Sequence, residues 1–310
     1  MLEIIGKTNI DFLGRRHYAY VFSLLLTAFS VYMWIARADN RYDIDFEGGH
    51  EMVIKISEGA DSEAVRAAIQ KQGVGDAVVQ AFEVGRSDEY SIRVGGKAED
   101  AKPLRDKVMA AIKESFAGKG EVLKTDFVGP TAGKELKQKA FWAMVLALLG
   151  IAAYVTVRFE FAFALGALVS LAHDVVVATG VYLFAGHNIN MAAVAAALTV
   201  VGYSVNDTIV IFDKVREEIF KRKDYDLITL MNDCCNMMLS RTIITSGLTF
   251  FAALALYLFG GGAISDLSLY LSVGVLTGTY STIFIASPVV FTWEAFRAKK
   301  ERKTASASAR

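Results

Sequence analysis

Long apolar runs separated by short polar breaks occupy most of this chain. A membrane-spanning helix needs about 20 mostly apolar residues, and six windows qualify: Tyr18–Ile35, Phe141–Val157, Phe161–Ala185, Ile189–Phe212, Arg241–Phe259 and Leu267–Trp293. Arg158-Phe159-Glu160 parts the second from the third, Gly186-His187-Asn188 the third from the fourth, and Gly260-Gly261-Gly262 follows the fifth. The first window follows Lys7, Arg15 and Arg16 and ends Met33-Trp34-Ile35-Ala36-Arg37. It is longer than the roughly 7–15 apolar residues of a cleaved signal peptide, so it reads as a retained helix and signal anchor.

Between the first two windows the pattern changes. Tyr42–Ile56 reads as a strand interrupted by Gly48-Gly49, and Ser62–Gln72 as a helix capped by Asp61. Ala77–Val84 and Tyr90–Val94 read as strands joined by a turn around Arg86-Ser87-Asp88, Asp100–Phe116 as a second helix, and Val122–Val128 as a last strand. That order, βαββαβ, is the ferredoxin-like split unit. The predicted fold class is therefore an all-α membrane bundle of six transmembrane helices carrying an inserted α+β domain. Its divisions are an N-terminus and first span over 1–36, the inserted domain over 37–140, and spans two to six over 141–293 with a loop at 214–240. A basic tail over 294–310 completes the chain. Within that loop, 224–240 is amphipathic: Leu227, Leu230, Met231, Cys234, Cys235 and Met238 share a face, which predicts an interfacial helix feeding the fifth span.

Charge sets the orientation. Lys and Arg gather before the first window, at 214–223 and in the tail, while the short loops at 186–188 and 260–266 hold none. The positive-inside rule puts both termini and the 214–240 loop in the cytoplasm and residues 37–140 outside. Whole-chain charge is zero, with 33 basic and 33 acidic residues, so no basic field points to nucleic acid. Cys234 and Cys235 are adjacent, which is neither a disulfide framework nor a spaced metal motif. No phosphate loop, dinucleotide fingerprint, zinc site or nucleophile elbow occurs. The chain reads as a non-enzyme without a cofactor, its energy coming from an ion gradient or a partner.

Ionisable residues inside the apolar windows are the strongest chemical signal, because a charge at mid-bilayer costs at least about 2.5–3.5 kcal/mol. Asp207 closes Gly202-Tyr203-Ser204-Val205-Asn206-Asp207 in the fourth window, and Arg241 sits in Ser240-Arg241-Thr242 at the start of the fifth, at a comparable depth. His173-Asp174 lies near the middle of the third. An Asp207–Arg241 pair has two readings: a fixed ion pair bracing two helices, or a proton relay in which protonation releases the arginine and lets the helices shift. Asn206, His173 and Asp174 are candidates for either relay or brace. Asp213, nearer the helix exit, reads as a solvated charge. Gly274 and Gly278 form a small-residue pair that favours close helix packing.

Several segments together resemble the SecF family, the auxiliary subunits of the bacterial protein-export machinery within the resistance–nodulation–division superfamily. They are Asp43-Ile44-Asp45-Phe46-Glu47-Gly48-Gly49, Val128-Gly129-Pro130-Thr131-Ala132-Gly133-Lys134-Glu135-Leu136, Ala172-His173-Asp174, Gly202 to Asp213, and Leu239 to Ser246. The resemblance implies a SecD partner, a position beside the SecYEG channel with YajC, and indirect cooperation with the ATPase SecA on unfolded preprotein. It implies use of the proton-motive force at the bacterial inner membrane, with Asp207 and Arg241 in the proton path and a further aspartate supplied by SecD. Gly48, Gly49, Gly129 and Pro130 are expected to hinge the inserted domain. A proton-coupled small-molecule exporter half of the same superfamily is the alternative, and a purely structural clamp for the channel a third reading.

Overall fold

In the computed structural model the described residues are 8–56, 60–74, 77–81, 88–95, 100–116, 120–222, 225–260 and 262–308. The elements in chain order are helices α1 (Arg16–Ala36) and α2 (Ile44–Glu47), strand β1 (Gly49–Ile56), helix α3 (Ser62–Lys71), strands β2 (Val78–Ala81) and β3 (Glu89–Val94), helix α4 (Ala101–Ser115) and strand β4 (Gly120–Val128). Helices α5 (Pro130–Arg158), α6 (Phe161–Phe184), α7 (Met191–Lys221), α8 (Leu227–Gly260) and α9 (Gly262–Ser281) follow, and a π-helical turn at Thr282–Ala286 joins α9 to α10 (Ser287–Ser308). Six helical segments are long and apolar enough to cross a membrane, the last running from Ala263 through the π turn to Arg297.

The inserted segment forms a four-stranded antiparallel sheet in the order β2-β3-β1-β4. Alternation on β1 sends Met52, Ile54 and Ile56 into a core with Tyr90 and Ile92 of β3, Val65 and Ile69 of α3, and Val108 and Ile112 of α4. Asp61 caps α3 by accepting the Glu63 N–H. The expected turn at Arg86-Ser87 lies outside the described residues.

Three expectations about boundaries change. Residues 44–47 form a single helical turn, started by Asp43 accepting the Ile44 N–H, so the strand begins only at Gly49. Helix α5 starts at Pro130, not near Phe141: proline at the first helical position needs no N–H partner, and nothing between it and Phe141 breaks a helix. The 214–240 segment is not a loop carrying an interfacial helix. α7 runs to Lys221, and α8 is continuous from Leu227 through Arg241 to Gly260. Leu230, Met231, Cys234 and Cys235 are buried against Phe12, Leu13, Phe212 and Val215, so the apolar face packs on protein. The basic tail is likewise helical, to Ser308.

Helices α6, α7 and α9–α10 form the interior, and α1, α5 and α8 lie around them: 61% of the apolar window of the last span is buried against 6% of that of α5. Small residues permit the inner contacts. A Cβ built on Gly274 would lie 2.1 Å from Val200, and one on Gly278 would lie 3.0 Å from Ser204. The glycine pair of the last span therefore seats α9 on α7 within the chain. A Cβ on Gly180 would come within 2.4 Å of the Ser30 Cα, where α1 crosses α6, whereas one on Gly150 meets nothing within 4 Å. Overpacking a close contact costs about 1–3 kcal/mol. Gly180→Val should accordingly lower the thermal midpoint of the detergent-solubilised protein, while Gly150→Ala should hold or raise it. Equal effects of the two would show that α1 is not seated on Gly180.

Candidate functional site

Asp174 is fully buried at the junction of three helices. Its Oδ2 accepts a hydrogen bond from Ser204 Oγ of α7 and another from Ser281 Oγ of α9, each at 2.7 Å. Ser170 Oγ donates to Ser281 Oγ at 2.8 Å, and His173 Nδ1 lies 3.2 Å from Asp174 Oδ1. Ser170 and Asp174 lie about one turn apart on α6, and Ser281 is the last residue before the π turn, a feature often found at functional sites. One residue further, Thr282 Oγ1 pairs with Thr208 Oγ1 of α7 at 2.9 Å, and its carbonyl accepts from Ser287 Oγ at 3.2 Å. His173 Nε2 is buried with no hydrogen-bond partner among the described residues.

Asp207 lies three residues beyond Ser204 on α7 and is 5% exposed. Ser246 Oγ of α8 donates to its Oδ2 at 3.1 Å. The expected pairing with Arg241 is not made: Arg241 is exposed, and among the described residues no cation lies within 4.0 Å of Asp207. Ser246, which does meet Asp207, lies five residues further along α8, about 7.5 Å in axial rise, so Arg241 is not level with Asp207. Asn206 is exposed. Asp213 pairs with Arg158 at 3.2 Å, both about half exposed, so it is the solvated charge expected.

The glycine motifs form a joint between the sheet domain and the bundle. Gly48 has φ +80, and a Cβ there would lie 2.8 Å from the Pro130 Cα; Gly49 has φ +135, with the Val94 carbonyl 2.6 Å from the same position. Only glycine takes these conformations without strain. Gly129 has ordinary extended geometry and open space at its Cβ position, so no such constraint acts there. From the other side, Tyr42 bridges to Ile189 in the α6–α7 connection, the Asp43 N–H donates to the Ile189 carbonyl at 2.9 Å, and Asp45 Oδ2 accepts the Met191 N–H at 2.8 Å. Arg93 of β3 reaches into the joint and pairs with Asp43 at 3.0 Å and with Glu51 at 3.3 Å. Beside it Asp266 accepts from Asn190 Nδ2 at 2.6 Å and contacts His187 Nδ1 at 2.7 Å.

This arrangement of six helices and an inserted sheet has known counterparts. Residues 107–295 match the profile of the family described as protein export membrane protein SecD/SecF, C-terminal. The chain is 37% identical over 286 residues to the protein translocase subunit SecF of Rickettsia felis, covering 92% of each, and 37% identical over 296 residues to that of Thermodesulfovibrio yellowstonii, covering 94% of this chain and 96% of the other. The chain belongs to the SecF family. A crystal structure of SecDF from Thermus thermophilus superposes on 93% of this chain with a TM-score of 0.84 at 31% identity, and a SecDF structure in a super-membrane-facing form on 98% with a TM-score of 0.71. This SecF-family chain spans about two fifths of those SecDF chains, 39% and 41% respectively. It is a multi-pass membrane protein.

The sequence of this SecF-family chain marks the two carboxylates buried within the apolar windows, Asp174 and Asp207, but not the hydroxyls that hold them. Ser204 and Ser246 belong to the segments 202–213 and 239–246, and the need of an intramembrane aspartate for a donor is the signal that points to them. Nothing in the sequence singled out Ser281, Thr282 or the π turn. Outside the spans, burial pushes the Asp43 carboxyl up to about 6, against the pull of Arg93, with Glu51 and Asp45 adding to the rise. Because folded Asp43 then binds a proton more tightly than in the unfolded chain, stability falls as pH rises from about 4 to about 6. Asp43→Asn should flatten that part of the thermal midpoint–pH curve; an unchanged slope would assign it to another group.

Proposed function

We propose that this chain is a SecF subunit that works with SecD to use the proton-motive force in promoting preprotein translocation across the bacterial inner membrane. In this reading both termini are cytoplasmic and residues 37–140 form a periplasmic domain of the ferredoxin-like class. The βαββαβ element order and the antiparallel β2-β3-β1-β4 sheet support that class. The partners are SecD, the SecYEG channel and YajC, with SecA acting on the same unfolded preprotein from the other side. The gradient supplies the energy and no cofactor is invoked.

The observation that carries the reading is Asp207: a carboxylate inside an apolar span, hydrogen-bonded by one hydroxyl and paired with no cation among the described residues. A buried carboxylate so lightly held is costly to ionise, which suits a group that takes up and releases a proton. Asp174, with two serine donors and His173 beside it, suits an anchor for α6, α7 and α9 next to that carrier. Arg241 on α8 is the cation that a rotation of α8 would bring toward Asp207. The joint around Gly48, Gly49 and Pro130 supports a mechanical link from the bundle to the outer domain.

Asp207→Asn keeps the size and the hydrogen bond but removes the proton. Removing a positioned proton-transfer group typically costs 10²–10⁴-fold, so gradient-stimulated export in vesicles co-reconstituted with SecD and the channel should fall to the unstimulated level. Full stimulation by Asp207→Asn would overturn the relay. Deletion of about residues 45–125 should leave membrane insertion intact and abolish stimulation; normal stimulation would overturn the mechanical role of the domain.

A further inference from the structure

Between the start of α5 and the faces of α6 and α7 lies a cavity of about 570 Å³ that the translocation reading does not use. Its walls are apolar: Met144 of α5, Val175 of α6, and Ala193, Val194 and Ala197 of α7. Trp34 at the end of α1 and Tyr42 of the linker also line it, and two lysines of α5, Lys134 and Lys137, stand above Phe141. At 1.5 Å per residue, Lys134 stands about 10 Å before the apolar window that opens at Phe141, at headgroup height, and Met144 lies about one turn inside the window. The cavity therefore lies at the depth of the leaflet on the side of the sheet domain.

Two cations, Lys134 and Lys137, line its mouth, and a third, Arg41, lies beside it on the rings of the lining residues Trp34 and Tyr42, with its Nη1 donating to the Trp34 carbonyl at 3.4 Å. Among the described residues neither Lys134 nor Lys137 pairs with a carboxylate; Lys137 Nζ sits 3.5 Å from the centre of the Tyr42 ring. Arg41 stacks on Trp34 at 4.7 Å and on Tyr42 at 5.3 Å, and its Nε is buried without a partner. Of the linker carboxylates, Asp43 pairs with Arg93, Asp45 accepts the Met191 N–H, and Asp39 is exposed and lines no part of the cavity. Three cations on an aromatic rim above an apolar chamber, set between helices, match the amphipathic chemistry of an anionic phospholipid: phosphate at the rim, acyl chain within.

We propose that this cavity binds an anionic phospholipid of the leaflet facing the sheet domain, with its phosphate on Lys134, Lys137 and Arg41 and an acyl chain along Met144, Val194 and Ala197. The site rests on the membrane placement in the proposed function but not on proton coupling. Because Tyr42 and Ile189 belong to both the cavity wall and the joint, an occupied cavity would brace the linker that carries the sheet domain.

Trp34 supplies the probe. With Trp142 and Trp293 replaced by Phe, the full chain is reconstituted in phosphatidylcholine vesicles. Trp34 emission is then followed as brominated phosphatidylglycerol, or brominated phosphatidylcholine at equal mole fraction, is added. The expected result is an apparent affinity about tenfold higher for the anionic lipid, from two or more rim cations. Lys134→Gln/Lys137→Gln should abolish that preference, Val194→Phe should weaken quenching by both lipids, and inorganic phosphate should not relieve it. Equal quenching of the parent protein by the two lipids overturns the proposal, even if no cavity variant reconstitutes. So does relief by inorganic phosphate, which would mark a site for the free anion, and so does loss of quenching on co-reconstitution with SecD, which would make a partner helix the occupant. Export activity is not read, so failure here and failure of the relay are separable.

Discussion

The constraint on which the bundle depends is that polar groups buried away from water must find partners within the chain. Asp174 meets it by recruiting one hydroxyl from α7 and one from α9, and in doing so ties the three interior helices together at one depth. The surrounding packing follows from that tie. Gly278 sits against Ser204 because the serine must come close enough to donate, Gly274 admits Val200 one turn away, and the π turn begins where Ser281 has been drawn toward α6. Removing either serine donor would leave a buried lone pair, whereas most lipid-facing positions of α5 and α8 carry no comparable constraint.

Asp207 contrasts with Asp174 although only three residues separate it from Ser204. It has one donor, on a peripheral helix, and Arg241, five residues along that helix from the donor, is exposed. In the proposed reading, a heavily satisfied carboxylate and a lightly satisfied one, on neighbouring helices, have different tasks. The first fixes the arrangement of α6, α7 and α9, and the second has the freedom to change partner. At the other end of the molecule the Arg93–Asp43 pair and the positive-φ glycines press the sheet domain onto the α6–α7 connection. Displacement of α7 would therefore reach the sheet through backbone bonds at Ile189 and the Met191 N–H on the Asp45 carboxylate, without a flexible spacer.

Much of this was legible in the sequence because the signals were periodic or costly. Apolar windows gave the spans, alternation on β1 gave the sheet, and charges at 174 and 207 stood out against lipid. Helix ends were less legible, because polar residues such as Lys134 or Asn232 are compatible with a helix that continues beyond the apolar core, and hydropathy measures the core alone. The Asp207–Arg241 pairing is not made for a geometric reason: Ser246, five residues along α8 from Arg241, is the residue level with Asp207, and neither the axial offset of two helices nor the face a side chain takes can be counted from apolar windows alone. Arg93, in a solvated-looking strand, gave no sign that it would be buried in the joint.

The central claim is that Asp207 changes protonation state during the cycle. Infrared difference spectroscopy of the chain co-reconstituted with SecD, comparing vesicles with and without an imposed proton gradient, reads this directly. The account predicts a protonated-carboxyl C=O band that changes with the gradient and disappears in Asp207→Asn. An Asp207 that stays in one state whatever the gradient, with the same difference spectrum in Asp207→Asn, would contradict it.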